Sequence, residues 1–305
     1  MSKALVRGYD IFGEPMKEES RGKVTDKFII TPFSILNTRD SFWQDRKRQW
    51  SSLGMKSELG RDAPVINMNN STKDGETVSD GYTSIFDPVL CELHYKWFSP
   101  KNGHILDPFA GGSVRGIIAS HCERNYTGVE LRADQVESNN EQKELCDSHL
   151  PTWINGDSCG IATFEHGQKY DYVFSCPPYA DLEVYSDDER DLSTMKYLDF
   201  LNAYEHIIDE TCKLLKDDSF GTFVVGEVRG KDGNYYNFVG DTVRAFERAG
   251  LKYYNESILV TPVGSTSMRI TKQFEASRKV GKTHQNVLTF VKGCPKKAVK
   301  KIKTI

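Results

Sequence analysis

The sequence predicts an α/β fold, a mostly parallel sheet with helices on both faces. From about Gly81 onward, short apolar runs alternate with segments of helical periodicity, and strands that alternate with helices build a parallel sheet covered on both sides. The chain has 305 residues, 38% hydrophobic and 27% charged, enough for one large domain or a core domain with a smaller module.

FDPVLCELHYKWF (86 to 98) has helical spacing, with Asp87 placed as N-cap and Pro88 at the first helical position. HIL (104 to 106) is a short buried strand ending at Asp107, followed by the turn PFAGGS and the helix SVRGIIASHCER. YTGVE (126 to 130), WIN (153 to 155) and YDYVFS (170 to 175) are further strands, with a helix over ADQVESNNEQKELCDSHL. A long helix is predicted from about Thr194 to Lys216, its stripe formed by Leu198, Leu201, Ile208, Cys212 and Leu215. GTFVVGEV, a helix around Val239 to Ala249, YYNESILV and NVLTFVKG complete the series.

Composition divides the chain into a basic, aromatic region (1–61), a polar linker (62–80), the core domain (81–293) and a basic tail (294–305). Net charge is −3, but residues 269–305 carry eleven Lys and Arg against one acid, while 181–218 carry four bases against twelve acids. The basic end is a candidate for tracking phosphates, and its last residues, KKAVKKIK, read equally as a solvated, frayed tail. No stretch approaches the roughly 18 apolar residues of a membrane span, and MSKALVRGYD holds no apolar leader, so a cytoplasmic location is expected. The seven cysteines are scattered without a C-x-x-C pair, which points away from a metal site and toward reduced thiols. Cys176 has a different neighbourhood.

In such sheets ligands bind at the carboxyl ends of the strands. After the first core strand comes Asp107-Pro108-Phe109-Ala110-Gly111-Gly112-Ser113. Its small residues let the backbone approach a ligand, and the helix behind presents N–H groups. It is not G-x-G-x-x-G, which disfavours a dinucleotide, and Asp107 suits a cationic or hydroxylated ligand. Glu130 ends the next strand twenty-three residues later, where a carboxylate accepts from ribose hydroxyls, and Asp157 follows the third strand, where an acid accepts from an exocyclic amine. Each is also an ordinary place for a helix N-cap. Taken in order, the three suit a nucleoside bearing a positive group, such as S-adenosylmethionine.

DPFAGGS followed by Cys176-Pro177-Pro178-Tyr179 resembles the glycine-rich motif and the [DNS]-P-P-[YFW] motif of S-adenosylmethionine-dependent DNA amino-methyltransferases, which act on adenine N6 or cytosine N4. The wider pattern, including PFSILNTRDSFWQDRKRQW, CPPYADLEVYSDDERDLS and RKVGKTHQNVLTFVKG, is similar to phage-encoded DNA methylases and covers most of the chain. The resemblance implies a seven-stranded Rossmann-like sheet whose last strand, NVLTFVKG, is inserted antiparallel. It also implies S-adenosylmethionine as cofactor, DNA as partner, the host cytoplasm as location, and no metal or membrane; monomer and homodimer both stay open. It matches Asp107 and the Ala110–Gly112 turn to the methionine-binding loop, Glu130 to the ribose, Asp157 to the adenine, and the helix at 86–98 to the cover of the methionine end. Ser175, directly before the catalytic motif, joins the cofactor set.

About 68 residues separate Asp107 from Ser175, too few to hold a recognition domain. Candidates for base recognition are therefore the 262–285 segment and, in the N-terminal region, Trp43, Arg46, Lys47, Arg48 and Trp50. The two tryptophans also read as a core stripe seven residues apart.

Two prolines fix the backbone so that carbonyls near Cys176 and Pro177 accept the amine's hydrogens, while Tyr179 stacks on a flipped base. Cys176 departs from the family's Asp, Asn or Ser and is a weak acceptor, so the target base stays open. Alternatively it is a nucleophile on pyrimidine C6, as in C5 methylation, although no sequence-adjacent Lys or Arg lowers its pKa and C5 enzymes place their cysteine after the proline pair. Asp181, Glu183 and Tyr185 read either as an acidic solvated loop or as further substrate contacts. RNA or protein glutamine as substrate, and a DNA-binding protein disabled by Cys176, complete the alternatives.

Overall fold

The computed structural model describes residues 28–56, 86–164, 167–179, 186, 188–263 and 266–303. The expected linker at 62–80, and Asp181, Glu183 and Tyr185, lie outside the described residues.

The elements follow in the order β1 (Ile35–Asn37), α1 (Ser41–Ser51), α2 (Pro88–Phe98), β2 (His104–Asp107), α3 (Val114–His121), β3 (Asn125–Glu130), α4 (Ala133–Glu141), β4 (Thr152–Asn155), α5 (Ile161–Phe164) and β5 (Tyr170–Ser175). They continue with α6 (Tyr197–Leu214), β6 (Leu215–Val225), α7 (Phe238–Arg248), β7 (Lys252–Val260), α8 (Thr266–Ser277), β8 (His284–Lys292) and α9 (Pro295–Ile302). The sheet order is β1-β7-β8-β6-β5-β2-β3-β4, with β8 antiparallel between β6 and β7 and all other pairs parallel. From β2 to β8 this is the Rossmann-like methyltransferase sheet, with the last strand inserted antiparallel. The eighth strand, β1, pairs with β7 through Ile35, Leu36 and Asn37.

Adjacent residues of the central strands feed opposite cores, because strand side chains alternate faces. Ile105, Tyr172, Phe174, Phe220, Val224, Val287 and Val291 pack with residues of α1, α2, α3 and α9. Leu106, Val173, Phe223, Val225, Leu288 and Phe290 pack with α6 and α7. Both faces of these central strands are thus apolar, as a doubly covered sheet requires.

Two expectations change. The predicted stripe on α6 included Leu198, which is 73% exposed; the buried face is carried by Phe200, Tyr204, Ile207, Ile208, Thr211 and Cys212. KKAVKKIK is neither a frayed tail nor near the strands' carboxyl ends. It forms most of α9, which buries Ala298 and Ile302, while the Lys301 Nζ donates to the Asp217 carbonyl at 2.6 Å, at the start of β6. No described helix is long and apolar enough to cross a membrane.

Candidate active site

The strands' carboxyl ends surround a cavity of about 510 Å³. On one side it is lined by Pro108, Phe109, Gly111, Gly112, Glu130 and Asp157, and on the other by Cys176, Pro177, Pro178 and Tyr179. The two predicted halves, from strands far apart in sequence, thus share one space.

Asp107, Ala110 and Ser175 do not line it. Asp107 is fully buried, and its carboxylate accepts from the Phe109 N–H (3.1 Å), the Ser175 Oγ (2.5 Å), the Arg115 Nε (2.5 Å) and the Tyr126 Oη (2.7 Å). Four donors saturate it, which corrects the expectation that it meets a ligand's charge. It instead ties β2 to β5 and fixes the turn. Arg115 completes the staple by donating to the Phe109 and Ala110 carbonyls, the latter at 2.8 Å. Burial disfavours its charge, yet Asp107, Tyr126 and the nearby cysteines together outweigh this and raise its pKa above the ordinary arginine value.

Beyond the staple the turn opens. Gly111 has φ of +52°, a left-handed conformation that favours glycine. Its N–H donates to Glu130 Oε2 at 2.9 Å, and its carbonyl accepts from Asn139 Nδ2 at 2.8 Å. Glu130 also accepts from the Arg132 N–H at 3.0 Å, and burial raises its carboxyl above the usual value. Asp157 does serve as an N-cap, accepting from the Cys159 N–H at 2.8 Å, and also faces the cavity. The lining holds four acids (Asp87, Glu130, Asp157, Asp191) and four bases (Lys47, Arg115, Arg132, Arg190). That donor set suits a ligand carrying both signs of charge together with hydroxyl and amine groups, as S-adenosylmethionine does.

On the opposite wall, Tyr179 Oη accepts from Gln285 Nε2 at 2.7 Å and lies 3.7 Å from Cys176 Sγ. The Tyr179 ring meets Phe238 edge-on at 6.3 Å, which with Gln285 fixes its plane. Cys176 is one of the groups that raise the pKa of Arg115, so folding supplies the nearby cation that the local sequence lacks. The described cysteines form no disulfide, and burial pushes Cys122 and Cys212 up to about 12. Among the described residues, no group of three or more His, Cys, Asp or Glu side chains is placed to hold a metal ion.

The N-terminal segment contributes differently from its expected DNA contacts. Trp43, Arg46 and Trp50 are buried: Arg46 pairs with Glu92 at 2.5 Å, and the Trp50 Nε1 donates to the same carboxylate at 2.9 Å. Burial would raise the Glu92 carboxyl, but Arg46 and Lys96 hold it at about 2. Arg48 is exposed and paired with Asp45. Lys47 does reach the cavity, 3.1 Å from Asp87, the α2 N-cap, whose carboxylate also accepts from the Val89 and Leu90 N–H groups. The 262–285 segment rises from the cavity rim, where Thr261, Pro262 and Gln285 line it, and its described helical residues beyond Ile270 are exposed.

Sequence reasoning missed Arg115, Lys47 as a cavity residue, Arg190 and Gln285. Arg115 had a signal, a lone charge within the apolar helix SVRGIIAS. Gln285 had only its position at the mouth of the last strand.

No family model matches the chain, and no curated protein matches it. Among solved structures it is similar to TrmN from Thermus thermophilus (12% identity, TM-score 0.46, covering 68% of this chain and 49% of that one). This chain therefore spans about half the length of TrmN. It is also similar to magnesium protoporphyrin IX methyltransferase from Synechocystis PCC 6803 with bound SAM (13%, 0.41, covering 64% and 71%). A third is a TehB-like SAM-dependent methyltransferase from Corynebacterium glutamicum (15%, 0.42, covering 69% and 89%). The fold assignment rests on the strand order itself.

Proposed function

We propose that the chain transfers a methyl group from S-adenosylmethionine to the exocyclic amine of a DNA base, adenine N6 or cytosine N4. The observation that carries this reading is the shared cavity, in which Gly111, Gly112, Glu130 and Asp157 face Cys176–Tyr179.

In this reading Glu130 accepts from the ribose hydroxyls, Asp157 from the adenine amine, and the Gly111–Gly112 backbone leaves room for the methionine end. The cofactor supplies an electrophilic methyl. Reaching it requires the base to leave its stack. Tyr179, its plane fixed by Gln285 and Phe238, presents a face for the flipped ring. Backbone carbonyls near Cys176 and Pro177 accept the amine's hydrogens and direct its lone pair to the methyl. The amine loses a proton after the methyl arrives, so no prior general base is needed. Cys176 occupies the usual acceptor position with a poor acceptor.

A second reading makes Cys176 a nucleophile, and the Arg115 charge favours it. The thiolate would add to pyrimidine C6, C5 would take the methyl and lose its proton, and the thiolate would then leave. Arg115 is already engaged by Asp107 and two carbonyls, which weakens this reading. Competition among duplex DNA, RNA and protein substrates for methyl-labelled cofactor tests the substrate class. Label in DNA supports the proposal, and label in RNA or protein alone contradicts it.

A further inference from the structure

We propose that the hairpin closed by Arg229 and Tyr235, with the basic segment that follows α8, holds single-stranded DNA beside the reacting base, Tyr235 stacking on the neighbouring unpaired base. This rests on the nucleic-acid reading above and adds where the strand lies.

The loops after β5, β6 and β7 and the start of β8 gather at one edge of the sheet, and these four strands are neighbours. A Cβ at Gly226, just past β6, would lie 3.8 Å from the Tyr179 ring. Arg229 follows three residues later, about 10 Å of extended chain. By contrast, the α9 lysines sit at the opposite end of β6.

The hairpin is braced by its own hydrogen bonds. Gly230 N–H donates to the Asn234 carbonyl at 2.9 Å, Gly233 N–H to Gly230 at 2.8 Å, and Tyr236 N–H to Val228 at 3.0 Å. At the base, Tyr236 stacks on Tyr197 at 4.0 Å and 9°, and the Glu227 carboxylate accepts from the Phe238 and Val239 N–H groups. A rigid hairpin loses little entropy on binding.

The Arg229 guanidinium lies 3.8 Å from the Tyr235 ring centroid and is held there by an Nη1 bond to the Gly233 carbonyl at 2.8 Å. The ring is nonetheless 43% exposed, so it is a braced aromatic surface with nothing to do in the core. Gly233 abuts Lys279, whose Nζ would be 2.4 Å from a Cβ there, so hairpin and basic segment meet. Residues 278–282 hold Arg278, Lys279 and Lys282 and no acid, and Lys231 is exposed on the hairpin against Asp232. Phosphates suit these cations, and an aromatic platform among them suits a base unstacked from its duplex.

The test is fluorescence anisotropy with a short fluorescein-labelled single-stranded DNA, with methyl transfer measured on the same preparations. Tyr235→Ala is expected to weaken binding about tenfold or more, with Tyr235→Trp restoring it. Arg278→Ala with Lys279→Ala should flatten the salt dependence by about 1.4 in the logarithmic slope. Lys296→Ala with Lys300→Ala should change neither. The inference is overturned if wild type binds no single strand at low salt, if it prefers duplex DNA or RNA, or if Tyr235→Ala binds as wild type does. Binding that depends on Tyr235 without methyl transfer would leave this surface standing and defeat the proposed activity; methyl transfer indifferent to Tyr235 would do the reverse.

Discussion

Arg115 and Asp107, both buried, are joined by a 2.5 Å bond from Nε to Oδ2, eight residues apart in sequence and on consecutive elements. The pair fixes the turn that forms one wall of the cavity, and through Ser175 it also holds the strand that delivers the other wall. Removing one partner of a buried pair strands the other charge, at a cost of about 3–5 kcal/mol. Arg115→Met should therefore lower unfolding stability by roughly that amount in urea titration, and also abolish cofactor binding. Arg115→Lys keeps the charge but loses the fork that reaches both carbonyls, and is expected to fall between. Wild-type stability in Arg115→Met would refute the staple.

Glu130 is, in the proposed reading, a binding group of another kind. Its two oxygens each accept one backbone N–H, and the residue lines the cavity. Glu130→Gln sets an amide N–H against one of those backbone donors and removes the charge that strengthens hydrogen bonds from ribose hydroxyls. Calorimetric titration with S-adenosylmethionine should show affinity reduced about tenfold or more, with the far-UV spectrum of the fold retained. Unchanged affinity would remove Glu130 from the site.

His94 gives the fold a pH dependence. It is buried between the Phe98 and Phe174 rings, and burial lowers its pKa from 6.5 to about 3. The folded state thus binds fewer protons than the unfolded state between those values. Stability is complete above about 6.5 and falls as pH drops toward 3, with a limiting slope of about 1.4 kcal/mol per pH unit. Urea midpoints should decline from pH 7 to pH 5 in wild type and decline less in His94→Phe, which keeps a ring in the stack. Parallel declines would show that other groups set the acid limit.

Much of this was legible in the sequence where the signal was local. Apolar neighbours such as Ile105 and Leu106 announced doubly covered strands, and Asp87-Pro88 announced the start of α2. The stripe on α6 was misread because it was traced through aliphatics, whereas the buried face is built from Phe200, Tyr204 and Thr211, two of them with polar tips. Contacts between distant residues were not legible: Gln285 meets Tyr179 across 106 positions, and Lys47 meets Asp87 across 40. The tryptophans of α1 read equally as stacking surfaces or as a core stripe, and only the fold decides for the core, where Glu92 and Asp87 accept their N–H groups.

The central claim, methyl transfer to an exocyclic amine with Cys176 in an acceptor position, is tested most directly by mass spectrometry of nucleosides from DNA treated with cofactor and either wild type or Cys176→Ser. Serine is nearly isosteric and a better acceptor. The predicted result is N6-methyladenine or N4-methylcytosine from both proteins. Only 5-methylcytosine from wild type, with no product from Cys176→Ser, would contradict it and establish the thiolate mechanism.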